Sequence, residues 1–168
     1  MSEPKLQTFT SAQVSQAEPF GKALLALNNA HAEALSWLEP DKLRYLAAHA
    51  FLARRIGDLD AFILALDQDA SYDSPNFLWF RARYVRFIYV DRIVVASSAR
   101  GRGYARLLYR DLFDQASKAR HERVVCEVNA RPPNPESDAL HAALGFVEVG
   151  SARIHNDSKT VRYLLRAL

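Results

Sequence analysis

The period of the apolar positions changes several times along the chain, and each change marks an element. Leu24, Leu25 and Leu27, with nearby alanines, share one side of residues 19–30 and predict a short helix. Asp41, just after Pro40, is placed to cap a second helix over 41–52, with Leu43, Leu46, Ala47 and Ala50 at helical spacing. Residues 58–66 are a short apolar run that reads as a strand. Residues 67–83 carry Asp-Ser-Pro-Asn and the aromatics Tyr72, Phe77, Trp79 and Phe80 without a clean period, which predicts a long loop or a loop with a short strand. Residues 84–95, rich in β-branched and aromatic side chains, predict a strand. Over 103–119, Leu107, Leu108, Leu112 and Phe113 form a helical stripe opposite charged residues. A strand over 123–129, a Pro-rich turn over 131–135, a helix from Ser137 that stops at Gly145, and closing strands over 146–154 and 160–165 complete the pattern. Residues 1–18 have no period and read as an irregular lead-in. With no internal repeat and no linker, the order points to one α/β domain over 1–168 with a mixed sheet.

Composition narrows the class. Apolar residues make up 49% and charged residues 24%, ordinary for a globular domain. The single cysteine, Cys126, cannot form an intrachain disulfide, and with Val124 and Val128 on its face it reads as a small buried hydrophobe. No apolar run approaches the ~18 residues of a membrane helix. The first twenty residues are polar and unlike a secretory signal. A cytoplasmic protein is therefore expected, with no membrane partner. The net charge of +3 permits an anionic small ligand without requiring nucleic acid. Acidic residues such as Asp91, Asp111 and Asp114 interleave the Arg-rich stretches, so no nucleic-acid partner is expected. His31, His49, His121 and His155 have no metal spacing, and no metal site is expected.

The chemistry concentrates in residues 93–105, Ile-Val-Val-Ala-Ser-Ser-Ala-Arg-Gly-Arg-Gly-Tyr-Ala. Gly101 and Gly103 let the backbone turn sharply and approach a ligand. A helix starts directly after them, and its free N–H groups and dipole favour a phosphate, with Arg100 and Arg102 adding charge. Two nucleotide fingerprints fail here. No Gly-Lys-Ser/Thr occurs, and Arg106 stands where the dinucleotide pattern needs a third glycine. The plain alternative is a tight turn with two solvated arginines.

Arg100-Gly101-Arg102-Gly103-Tyr104-Ala105 matches Arg/Gln-x-x-Gly-x-Gly/Ala, and resembles the acyl-CoA-binding signature of GNAT-type N-acetyltransferases. A second similarity follows: the strand over 123–129, Asn134, a helix, then Leu144-Gly145-Phe146. The resemblance is strongest over 84–149, and Asp-Arg-Ile-Val-Val with Glu-Val-Asn-x-x-Pro-Pro-Asn-Pro resembles a bacterial branch of generic predicted acetyltransferases. It implies an α/β fold (α+β by some schemes): a mixed, mostly antiparallel central sheet flanked by helices, with a parallel pair splayed at the cofactor site. It also implies an acetyl-CoA-dependent N-acetyltransferase that moves an acetyl group to a primary amine by direct attack. The main chain at Val94 and Val95 would pair with the pantetheine arm, and an N–H of residues 93–95 would meet the oxyanion. Arg100, Gly101, Arg102, Gly103, Tyr104 and Ala105 would wrap the pyrophosphate, with Asn134 and Ser137 on the cofactor arm. A homodimer is common among such enzymes.

Many members place a Tyr four residues before the Gly of Leu-Gly-Phe, able to protonate the departing thiolate; this chain has His141. It is a candidate acid, or a hydrogen-bond partner of the sulfur or substrate, or a helix-face histidine near solvent. The amine also needs a base. Glu127 shares a strand face with Val125 and Asn129, and Asp91 with Tyr89 and Ile93. A carboxylate among apolar strand neighbours is either paired or poised, so both are candidates, directly or through water. Asn28 and Asn29 are acceptor contacts or helix caps. A non-catalytic acyl-CoA-binding sensor is the alternative function. The acceptor, a small molecule or a peptide amine, stays open.

Overall fold

A computed structural model describes residues 3–15 and 18–168. The elements are β1 (Leu6–Thr8), α1 (Pro19–Asn29), α2 (Pro40–His49), β2 (Leu52–Ile56), β3 (Ala61–Asp67), α3 (Pro75–Arg81), β4 (Ile88–Val95), α4 (Tyr104–Lys118), β5 (Arg123–Arg131), α5 (Pro135–Ala143), β6 (Val147–Ile154) and β7 (Lys159–Ala167). Pro19, Pro40, Pro75 and Pro135 each open a helix, where the missing N–H is no loss and the fixed φ suits the first turn. The strand order is β1-β2-β3-β4-β5-β7-β6, a mixed, mostly antiparallel sheet whose parallel pair is β4 with β5, as expected. The chain forms two compact units: Met1–Leu66 with Asp91–Leu112, and Asp67–Val90 with Phe113–Leu168.

In the first unit, β1 pairs with β2 and β2 with β3, all antiparallel. Ala61 to Leu66 of β3 are all buried, which explains a continuous apolar run in place of alternation. Two corrections arise here. The second helix ends at His49, and residues 52–56 form a strand. Arg54 and Arg55 concealed it: Arg54 Nε pairs with Asp111 on α4 at 2.9 Å, and the Arg55 guanidinium lies 5.0 Å from the Phe20 ring centroid. Likewise the lead-in contains β1, and Phe9 beyond it is buried edge-on against Phe20 and Phe62.

In the second unit, β4 starts parallel to β5 at Ile88↔Val124 and Tyr89↔Val125. β5 pairs antiparallel with β7 from Arg123↔Ala167 to Arg131↔Thr160, with an irregularity between Asn129 and Arg131. β7 pairs antiparallel with β6. The segment expected as a loop over 67–83 contains α3 instead. Its two turns are too short to display a period, yet Asn76, Phe77 and Phe80 point inward while Leu78 is exposed. Trp79 stacks on Tyr163 at 4.2 Å between centroids, and the Arg83 guanidinium lies 3.8 Å from the centre of the Trp79 ring.

Gly150 of β6 makes that arrangement possible, since a Cβ there would stand 2.4 Å from Trp79 Cζ2. Gly150→Ala is therefore expected to lower the unfolding free energy by about 1–3 kcal/mol, the usual cost of overpacking. Urea denaturation checks it: Trp79→Leu in the Gly150→Ala background should return part of the loss, and an unchanged midpoint would show that the ring moves aside freely.

Candidate functional site

The predicted phosphate loop lies in the first unit. Beyond Val95 at the end of β4, Ala96 N donates to Asp60 O at 2.8 Å. A 3-10 turn over Ser97–Ala99 follows, anchored by buried Ala99. Gly101 and Gly103 both adopt φ +77, a left-handed conformation that strains any side chain. No atom beyond the adjoining residues lies within 4 Å of the Cβ position at either glycine. Both glycines thus face open space. The first i→i−4 bond of α4 runs from Leu107 N to Gly103 O at 3.0 Å, so the N–H groups of Tyr104, Ala105 and Arg106 lie ahead of it, at the positive end of the helix. Exposed Arg100 and Arg102 flank the glycines. An open cradle, helix N–H groups and two guanidinium groups fit a diphosphate. Val94 is buried and Val95 half-buried.

Deeper in the same unit, Arg92 Nε donates to Asp91 Oδ2 at 2.7 Å, with the two side chains only 3% and 4% exposed. Arg92 Nη1 also donates to Asn28 Oδ1 at 2.8 Å. Asn28 Nδ2 donates to Ser36 O at 3.0 Å, and Asn29 both accepts from Leu38 N at 2.8 Å and donates to Leu38 O at 3.1 Å. Asn28 and Asn29 therefore bracket the segment after α1. Asp91, one of the two candidate bases, is committed to a guanidinium.

In the second unit the other candidate, Glu127 on β5, accepts from the Tyr89 hydroxyl, which lies 3.0 and 2.8 Å from its two oxygens. Tyr163 stands directly opposite Glu127 in the β5–β7 register. Its hydroxyl donates to Asn76 Oδ1 at 2.9 Å. Burial and the negative charge of Glu127 push the Tyr163 phenol up to about 12, so it stays protonated. Half-buried Lys159 is lowered by desolvation, with Glu127 acting the opposite way.

His141 is buried at 4% exposure, so it is not a solvent-facing helix residue. Its Nδ1 lies 2.6 Å from Ser137 O and 3.2 Å from Ser137 Oγ. A carbonyl only accepts, so Nδ1 carries the proton of the neutral ring. Burial lowers the pKa below the ordinary histidine value, with the Ser137 carbonyl and Asp138 opposing. At neutral pH, Nε2 is therefore an acceptor and not an acid. Asn134 caps α5, its Oδ1 taking the Ser137 N–H at 3.3 Å. Cys126 is buried, as its strand parity implied.

The structure thus gathers Val94, Val95 and residues 100–105 in one unit, and aligns Asn134, Ser137 and His141 along α5 in the other. Tyr89, Tyr163, Asn76 and Arg92 complete these arrangements but were not singled out from the sequence. Tyr89 carried a signal, since it has the same strand parity as Asp91. Tyr163 needed the cross-strand register. Among the described residues, no helix is long and apolar enough to cross a membrane.

The sequence pattern of the Acetyltransferase (GNAT) family matches residues 18–146. The chain belongs to the GNAT acetyltransferase family. No curated protein matches it significantly. Among solved structures it is similar to Ard1 from Thermoplasma volcanium, with 12% identity, TM-score 0.75 and 99% of each chain covered. Ribosomal-protein-alanine N-acetyltransferase from Brucella melitensis gives 19% identity and TM-score 0.70 over 98% of this chain and 99% of that one. The ribosomal-protein-S18-alanine N-acetyltransferase from Escherichia coli gives 14% and 0.69, over 98% and 93%. At such identities the likeness is one of fold.

Two outcomes follow. Asp91→Ala leaves the Arg92 guanidinium buried without its carboxylate and is expected to destabilise by about 3–5 kcal/mol; chemical denaturation measures it, and a loss under ~1 kcal/mol would refute the tie. For His141, the lowered native pKa means the unfolded chain binds more protons once the pH falls below about 6.5, so stability drops in that direction. His141→Gln should flatten the dependence of the urea midpoint between about pH 7.5 and 5.5, a slope that would stay unchanged if the ring titrated normally.

Proposed function

We propose that the protein is an acetyl-CoA-dependent N-acetyltransferase acting on a primary amine. The observation that carries this reading is the open glycine cradle at the start of α4, with Gly101 and Gly103 at φ +77 and free space at both Cβ positions. Family membership supports it, because the GNAT family uses acetyl-CoA. One structural neighbour of the same fold is a NatC complex bound to Gag peptide and CoA. In this reading residues 100–105 hold the diphosphate, and main-chain groups at Val94 and Val95 pair with the pantetheine amides. The bound donor supplies an activated acetyl thioester.

The residues of the chain then have to manage one proton. An alkylammonium titrates near ~10.4 and has no lone pair until it loses that proton. Glu127 is assigned as the acceptor, directly or through one water, because the Tyr89 phenol holds its carboxylate in place and Tyr163 faces it across the strand pair. Asp91 is left to neutralise Arg92. A main-chain N–H of residues 93–95 faces the developing oxyanion. His141 Nε2 takes a hydrogen-bond-accepting role. The lone buried cysteine is consistent with direct transfer in a reducing cytoplasm.

The test is calorimetry with acetyl-CoA followed by thiol release against a broad amine panel, with products weighed as intact species. Wild type should bind and turn over, and Gly103→Glu should lose binding. Glu127→Gln should keep binding while kcat falls roughly 10²–10⁴-fold. Binding without turnover of any amine would turn the protein into an acyl-CoA sensor, and no binding would end the reading.

A further inference from the structure

We propose that Arg83 is an acceptor-binding residue and that the acceptor is an amine that also carries a carboxylate, a step that rests on the reading above of Glu127 as the base. Every group involved lies in the second unit. Arg83 is exposed and follows α3 closely. Its guanidinium stands 3.8 Å from the centre of the Trp79 ring, and Nη1 donates to Trp79 O at 3.0 Å. Trp79 stacks on Tyr163, which lies opposite Glu127 in the β5–β7 register. Two groups cannot share one face of an indole, so the guanidinium is the outer layer of a stack whose inner ring neighbours the base. Beyond the effect of burial, the Glu127 charge pushes the Tyr163 phenol up and Arg83 pushes it down, so both charges act on one hydroxyl. Lys159 alternates with Val161 and Tyr163 along β7, which puts a second positive charge on the Glu127 face.

Among the described residues, the Arg83 guanidinium meets an aromatic face and a main-chain carbonyl but no carboxylate. Neither contact neutralises its charge. Both fix its position, so rotamer freedom is lost on folding and not on binding, which is how preorganisation raises affinity. The bond to Trp79 O uses one of five N–H donors, and the planar fork matches a carboxylate through two parallel bonds. The platform is itself specified, because Gly150 alone makes room for Trp79 at that point of β6. The positive charges of Arg83 and Lys159 also select among amines. They oppose a plain alkylammonium, which only Glu127 would attract. An acceptor with its own carboxylate gains at both ends, and its amine loses a proton more readily in a positive field.

The probes are matched pairs in which one amine is offered as its free carboxylate and as its carboxamide: α-, γ- and ε-amino acids and acidic dipeptides. Acetyl-CoA-dependent thiol release is measured with the full chain. Wild type should favour the carboxylate of the best pair roughly 10- to 100-fold in kcat/KM, the effect of a charge-assisted contact. Arg83→Gln should raise KM for that acid by the same factor, keep kcat within about twofold and leave the carboxamide unchanged. Arg83→Lys keeps the charge without the planar fork and should recover part of the preference. Urea midpoints of both variants confirm that they are folded. Equal use of acid and amide by wild type, a preference that survives Arg83→Gln, or a slowing of acid and amide alike (the mark of an arginine that only clamps Trp79) overturns the proposal while leaving the acetyltransferase reading intact. No turnover of any amine by wild type overturns both.

Discussion

A guanidinium carried into the interior on a strand has to be neutralised where it lies, and Arg92 imposes that condition on the first unit. Asp91, the adjacent residue, supplies the charge, and Asn28 supplies an oxygen from the end of α1. A buried ion pair is weak evidence of stability, because desolvation offsets much of its attraction. What it does impose is geometry. Asn28 can satisfy Arg92 only from one position, and from there its amide reaches Ser36 O. The segment that carries His31 is fixed by the same knot. Three residues after Arg92, β4 ends and the chain turns into the glycine loop. The charge thus anchors both pieces of chain that meet at Arg100.

The contrast between the two strand carboxylates follows from what holds each. Asp91 has a guanidinium at 2.7 Å, so protonating it would abandon a buried cation. Glu127 accepts from a neutral phenol, which stabilises the anion by hydrogen bonding, while its charge opposes the desolvation of half-buried Lys159. Both were equivalent as sequence, each an acid at an alternating strand position. Their partners separate them: one neighbours its arginine in the chain, the other meets its tyrosine only through the parallel pairing of β4 with β5.

That difference also describes what was legible in advance. Long elements with clean periods, such as α4 and β7, could be read because their patterns repeat over several turns or pairs. The loop motif was legible because glycine and arginine at fixed spacing are needed locally, whatever surrounds them. β2 was not, because its polar positions are arginines whose stems cover apolar neighbours and whose heads find partners far along the chain. α3 was hidden by its length, although Pro75 at its start was a usable sign. Asn76 with Tyr163, and His31 with Arg100, are separated by many residues and join only in three dimensions. No local pattern encodes such pairs.

The chemistry of the proposed transfer agrees with where this chain places its titratable groups. A thiol loses its proton near ~8.5, only about 1.5 units above neutrality, so a departing thiolate gains little from an enzymic acid. An alkylammonium titrates near ~10.4, and removal of its proton is the larger barrier. A protein built for this reaction gains more from a held base than from a held acid. Glu127 is supported by Tyr89, and the neighbouring Tyr163 is kept protonated by burial and by Glu127 itself, so it does not compete for the incoming proton. His141 stands four residues before Gly145, and its proton is fixed on Nδ1 by the Ser137 carbonyl while burial disfavours a second one. In the proposed transfer a hydrogen-bond acceptor at His141 suits a step that solvent can serve, whereas the base assigned to Glu127 meets the larger barrier.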